Sequence, residues 1–156
     1  MQLNDTLQEI YDALRETFGH RDWWPGDTPF EVMVGAILTQ NTNWDNVEKA
    51  IDNLEARGAL SPAAILNLET NDLQDLVRPA GYYRQKSARV KRLAQWLMDN
   101  CDGAVELLQD WPEDELRKEL VSIRGVGPET APRAVEAGVD HLELVVLNPR
   151  IGQQCY

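Results

Sequence analysis

Cysteine is nearly absent: the chain holds two, Cys101 and Cys155. Two thiols cannot complete a structural zinc site or a cysteine-ligated iron–sulfur cluster within one chain. Nothing points to an oxidising compartment in which they would pair, so they read as unrelated thiols. No apolar run reaches the ~20 residues that a membrane-spanning helix needs. The segment Met1 to Thr6 is polar and has no signal-peptide pattern, so the expected location is cytoplasmic. Strand-like alternation, internal repeats and low-complexity stretches are also missing. Positive charge is scarce, with 15 Lys+Arg against 26 Asp+Glu and a formal net charge of −11. Taken alone, that balance argues against a nucleic-acid partner and favours a helical protein–protein module. Screening over about 8 Å at physiological salt lets local distribution outweigh the total, so the placement of the basic residues decides.

What is present is helix. With 156 residues and 43% hydrophobic composition, the chain can bury the core of one compact domain. Leu7, Ile10, Tyr11, Leu14 and Phe18 recur at helical spacing, and Gly19 follows as a stop. After a loop with Trp23, Trp24, Pro25 and Gly26, Thr28 can cap a helix, with Pro29 at its first position and Glu31 completing a capping box. Phe30 to Leu38 leaves almost no polar face, which predicts a central buried helix. Gln40-Asn41-Thr42-Asn43 interrupts it, and Asn43 or Thr42 can cap a third helix through Trp44, Val47, Ile51 and Leu54 to Gly58. Ser61-Pro62 opens a short helix. Asn71 and Gln74 suggest the start of another, ended by Arg78-Pro79. A long helix is expected from about Gln85 to Asn100 with Val90, Leu93, Ala94 and Leu97 inside, and Pro112 starts the next.

The most specific local pattern runs from Leu120 through Ile123-Arg124-Gly125-Val126-Gly127-Pro128 to Thr130-Ala131. It predicts a helix, a Gly-Val-Gly turn and a second helix. Glycine permits positive φ at low cost, and a missing side chain lets backbone N–H groups approach an anion. Those groups lie at a helix N-terminus, where donors lack intrahelical partners and the dipole favours negative charge. Val126 is expected to plug the space between the helices. A plain interhelical turn is the competing reading, but the surrounding pattern is narrower than a bare Gly-x-Gly. Five of the 15 basic residues, Arg84, Lys86, Arg89, Lys91 and Arg92, fall in one segment just after Tyr82 and Tyr83. They can neutralise phosphates along one face, or form an ordinary solvated helix face.

Three further segments join the hairpin in order: Trp23-Trp24-Pro25, Ile37-Leu38-Thr39-Gln40-Asn41-Thr42-Asn43-Trp44, and Arg78-Pro79-Ala80-Gly81-Tyr82-Tyr83-Arg84-Gln85-Lys86. Together they resemble the helix-hairpin-helix DNA glycosylases of the endonuclease III superfamily, most of all the 3-methyladenine branch. The resemblance implies an all-α endonuclease III-like fold whose second lobe is incomplete here. It also implies base excision from double-stranded DNA: a damaged base is flipped out and its N-glycosidic bond is hydrolysed. By resemblance, Gln40 fills the gap left by the flipped base, and Trp24, Pro25, Trp44 and Glu129 wall the base pocket. By the same resemblance, Arg84, Lys86, Arg124, Gly125, Val126, Gly127 and Thr130 are expected to contact DNA. An indole face attracts a cationic alkylated purine by about 0.5–2 kcal/mol, although Trp44 also sits at core spacing. Glu129 stands where bifunctional members carry a Schiff-base lysine, which implies a monofunctional enzyme.

The pattern departs beyond the hairpin. Pro132 falls inside the expected helix. The valine pair Val145-Val146 is followed by Leu147 and Asn148, so the slot of the expected catalytic aspartate holds Leu147. Asp140 is the one nearby aspartate, and it comes early. The four cysteines of the iron–sulfur cluster found in many relatives do not follow, so no cofactor and no metal are expected. Residues 1–131 are therefore read as the glycosylase core, with the hairpin at about 112–131. Residues 132–156 are read as a divergent, frame-shifted or truncated tail. A monomer working at the nucleoid is expected, and a non-catalytic DNA-binding module is the alternative.

Overall fold

The computed structural model describes residues 3–18 and 26–127, and every described element is helical. The first helix, α1 (Leu3–Phe18), belongs to one compact unit and residues 26–127 to a second. In α1, Ile10, Leu14 and Phe18 form an exposed stripe at four-residue spacing.

In the second unit the helix starts follow from their capping residues. Thr28 accepts from the Glu31 amide at 3.2 Å ahead of α2 (Pro29–Leu38). Glu31 returns the bond to the amide of Asp27, one residue earlier than in a standard capping box. Asn43, rather than Thr42, caps α3 (Trp44–Ala56) by accepting from Asn46 at 3.1 Å. Ser61 caps α4 (Pro62–Asn67) through the Ala64 amide. The next helix, α5 (Thr70–Val77), begins one residue before the expected Asn71, and Glu69 precedes it without a side-chain cap. A 3₁₀ turn at Arg78–Ala80 then leads into α6 (Tyr83–Cys101), which starts two residues earlier than its sequence pattern suggests. A second 3₁₀ segment, Val105–Asp110, and α7 (Glu113–Ser122) complete the described chain.

The apolar α2 lies at the centre as expected, with Phe30 and every residue from Met33 to Leu38 buried. Its partners include Val47, Ala50, Ile51 and Leu54 of α3 and Val90, Leu93, Ala94 and Leu97 of α6. The helix α6 also packs on α4 and α5. Sequence periodicity missed the 3₁₀ segment. It buries Val105 and Leu108 and is followed by Trp111, whose ring meets Trp96 of α6 edge-on at 5.8 Å. Leu116, Leu120, Ile123 and Val126 extend the core to the hairpin turn. No described helix is long and apolar enough to cross a membrane.

Candidate nucleic-acid interface

The hydrophobic run of α2 stops at Leu38, and a turn of Thr39 to Thr42 reverses the chain before Asn43 caps α3. Asn41 adopts positive φ (55°), which asparagine tolerates better than most residues. Gln40 is therefore carried on a short turn between a buried helix and a capped one, and it is half-buried. A polar side chain in this position needs partners, and Arg89 of α6 supplies one: its Nη1 donates to Gln40 Oε1 at 2.5 Å.

The carbonyl end of α2 is fixed by Lys86. This lysine is only 1% exposed, and its ammonium donates to Leu38 O at 2.7 Å and to Ala80 O at 2.6 Å. It caps the last turn of α2, where the helix dipole favours a cation, and ties that turn to the 3₁₀ segment ahead of α6. Burial, with a smaller contribution from the charge of Arg89, pushes its pKa down from 10.5 to about 8. This corrects the expectation that Lys86 faces DNA. Its ammonium is spent on two interior carbonyls and is closed off from solvent. Sequence periodicity contained the signal, because Lys86 stands four residues before Val90 on the core stripe of α6.

The other basic residues of the cluster divide. Lys91 is half-buried and donates to Leu68 O at 2.6 Å. Arg84 is exposed, with its guanidinium 5.9 Å from the Tyr83 ring centroid, and Arg78 stands 4.4 Å from the same ring. Tyr82, at φ 44°, is 65% exposed. Arg92 is exposed and donates to the backbone oxygen of Arg124 at 3.0 Å.

That bond brings α6 to the hairpin turn. Gly125 has φ 99°, a conformation that L side chains rarely adopt, and a Cβ there would meet Arg89 Cγ at 2.5 Å. Val126 is buried, and Arg124 is exposed. Gly127 differs from Gly125. Its φ is not in the left-handed region, and among the described residues no heavy atom lies within 4 Å of a Cβ built on it. Neither backbone conformation nor packing among the described residues requires glycine at that position.

Gln40, Arg89, Arg92, Arg124 and Gly125 are thus brought together. Sequence reasoning placed Arg89 in a general basic cluster and missed its contacts with both Gln40 and the turn. Trp44 is half-buried against the core, and its Nε1 donates to Glu48 Oε1 at 2.9 Å. Trp24, Pro25, Glu129, Thr130, Asp140 and Leu147 lie outside the described residues. The cysteines do not fit a four-thiolate cluster: the chain has two, and Cys101 is a buried thiol that burial pushes above its ordinary pKa and that donates to Leu97 O.

Comparison with known proteins identifies the family and the fold. The profile of the HhH-GPD superfamily of base excision DNA repair proteins matches residues 34–145. A Methanocaldococcus jannaschii protein, provisionally named a DNA repair glycosylase, is 42% identical over 91% of this chain. Endonuclease III of Thermotoga maritima is 33% identical over 66% of it. The chain spans 65% and 44% of those two relatives. The crystal structure of Helicobacter pylori 3-methyladenine DNA glycosylase bound to 1,N6-ethenoadenine superposes with a TM-score of 0.69 at 25% identity, covering 88% of this chain and 65% of that one. An endonuclease III–DNA covalent intermediate superposes at 0.64 and 24% identity, covering 88% and 61%, which supports the fold. The chain belongs to the HhH-GPD superfamily of base excision DNA repair proteins.

Proposed function

We propose that the chain is the DNA-binding core of a monofunctional DNA N-glycosylase directed at alkylated purines such as 3-methyladenine. The observation that carries the reading is the meeting of two sequence-distant elements on one side chain: Arg89 bonds Gln40 and packs against Gly125 of the hairpin. A phosphate held at Gly127 and a side chain filling the vacated stack must act on the same stretch of duplex, and this proximity suits that joint task. Arg84 and Arg124 add exposed positive charge, and Trp24, Pro25, Trp44 and Glu129 would wall the pocket of the flipped base. The ethenoadenine held by the Helicobacter pylori neighbour is itself a modified purine, which supports the substrate class. Glu129 cannot form an imine, so water is the nucleophile: its oxygen bonds the sugar C1′ and gives up a proton to bulk solvent, while the C1′–N bond breaks and the cationic alkylated purine leaves as a neutral base with the bonding pair. The protein is expected to act on DNA as a cytoplasmic monomer.

The Leu147 slot favours a second reading, a DNA-binding module with no excision of its own. Both are tested with methylated duplex DNA, measuring duplex binding, free purine and strand breaks for the chain as written and for Leu147→Asp. The first reading expects both proteins to bind and purine release only after Leu147→Asp, without strand cleavage. Binding with no release by either protein selects the module. A borohydride-trapped covalent complex excludes monofunctional chemistry, and absence of duplex binding removes both readings in favour of a protein–protein module.

A further inference from the structure

We propose that Arg89 is a positioning residue that fixes the orientation of the Gln40 amide and couples it to the hairpin turn, and so sets which base the protein prefers opposite a vacated site. The inference rests on the reading of Gln40 as the side chain that fills the gap.

An amide has one accepting and one donating branch, whereas a guanidinium only donates. The group within 2.5 Å of Arg89 Nη1 must therefore be the oxygen of Gln40. With Oε1 committed to Arg89, the amide is held against a flip that would exchange its two branches, and Nε2 lies on the other branch. A Gln40 held in this way presents one fixed amide orientation to an orphaned base. A fixed orientation should favour some opposite bases over others, whereas an amide that flips freely would not.

Arg89 is itself constrained from below. A Cβ at Gly125 would lie 2.5 Å from Arg89 Cγ and 2.9 Å from both Cδ and Nε, so the arginine stem runs directly over the turn glycine. Arg92, three residues further along α6, donates to Arg124 O and holds the same turn to the same helix. A shift of the hairpin when it grips a phosphate would pass through the Arg89 stem to the Gln40 amide. The buried Lys86 anchors the other side, since it pins Leu38 O just before the Gln40 turn.

The test measures dissociation constants for duplexes that carry a tetrahydrofuran abasic-site analogue opposite A, C, G or T, beside the intact duplex. The proteins compared are wild type, Arg89→Met, Arg89→Lys, Gln40→Ala, Gly125→Ala and the Gln40→Ala/Arg89→Met pair. Met keeps an apolar stem and removes the donors, and Lys keeps a donor. Wild type should prefer abasic over intact duplex and spread several-fold across the four opposite bases. Arg89→Met should collapse the spread to within about twofold while keeping the abasic preference, and Arg89→Lys should restore part of it. Gly125→Ala should collapse it as well, and the double variant should match Gln40→Ala alone, because residues acting as a unit are not additive. An unchanged spread in Arg89→Met, or a uniform loss on every duplex including the intact one, overturns the proposal and leaves Arg89 as a packing residue or a plain phosphate contact. Loss of the spread in Arg89→Lys to the same extent as in Arg89→Met also counts against it. If wild type itself shows no preference for abasic duplex, the glycosylase reading fails first and the inference falls with it.

Discussion

At the scale of single residues, the interface depends on a cation that never reaches solvent. Lys86 satisfies two interior carbonyls, so Lys86→Met should lower stability by about 2 kcal/mol, measured by denaturant unfolding, because Leu38 O and Ala80 O lose charge-assisted donors. The depressed pKa carries a pH signature. Between about 8 and the ordinary 10.5 the unfolded chain binds more protons than the fold, so the Lys86 contribution makes stability rise with pH across that window. The rise should be missing in Lys86→Met, and a flat wild-type profile there contradicts the burial. Tyr82 offers an opposite case. It is held at φ 44° with most of its ring exposed, so Tyr82→Asn should stabilise the fold by about 1 kcal/mol, read as a higher unfolding midpoint. These effects explain part of what the sequence could convey. The stripe of Lys86, Val90, Leu93 and Leu97 announced a buried position, yet lysine chemistry argued for the surface. Only the paired carbonyls, 48 and 6 residues away in sequence, resolve the conflict.

At the scale of elements, local chemistry made most of the helix starts readable. Thr28, Asn43 and Ser61 all cap where their side-chain chemistry and following residues predicted. Asn43→Ala should therefore cost about 1 kcal/mol and loosen the Gln40 turn ahead of α3, checked by thermal unfolding and by amide exchange at Asn46. The Val105–Asp110 segment escaped because a 3₁₀ run is too short for helical periodicity and its burial comes from distant partners such as α6. The α5 start was displaced for a related reason: Glu69 provides the entry conformation without a side-chain hydrogen bond, so no capping signature marks it. Of the candidate site, the hairpin turn and Gln40 were readable from motif chemistry. Their shared contact with Arg89 was not, because it joins residues 49 positions apart whose side chains give no periodic signal.

At the scale of the whole molecule, a net charge of −11 has to coexist with the proposed DNA-facing surface. Exposed Arg84, Arg92 and Arg124 lie in or beside the helix that carries Arg89 and the hairpin turn it holds, so the attraction to a polyanion proposed for them is local. Three such contacts predict a shallow salt dependence, with log K falling against log salt at a slope of about −3. A much steeper slope would mean phosphate contacts outside this surface. If Gly127 is glycine in order to admit a phosphate, Gly127→Asp should show it, measured by duplex binding across a salt series beside thermal unfolding. The φ of Gly127 lies outside the left-handed region and no described atom obstructs a Cβ there, so the unfolding midpoint should hold. Duplex affinity should fall by about tenfold or more, the loss of one well-held anion. Undiminished binding by Gly127→Asp, with the fold intact, would contradict the account.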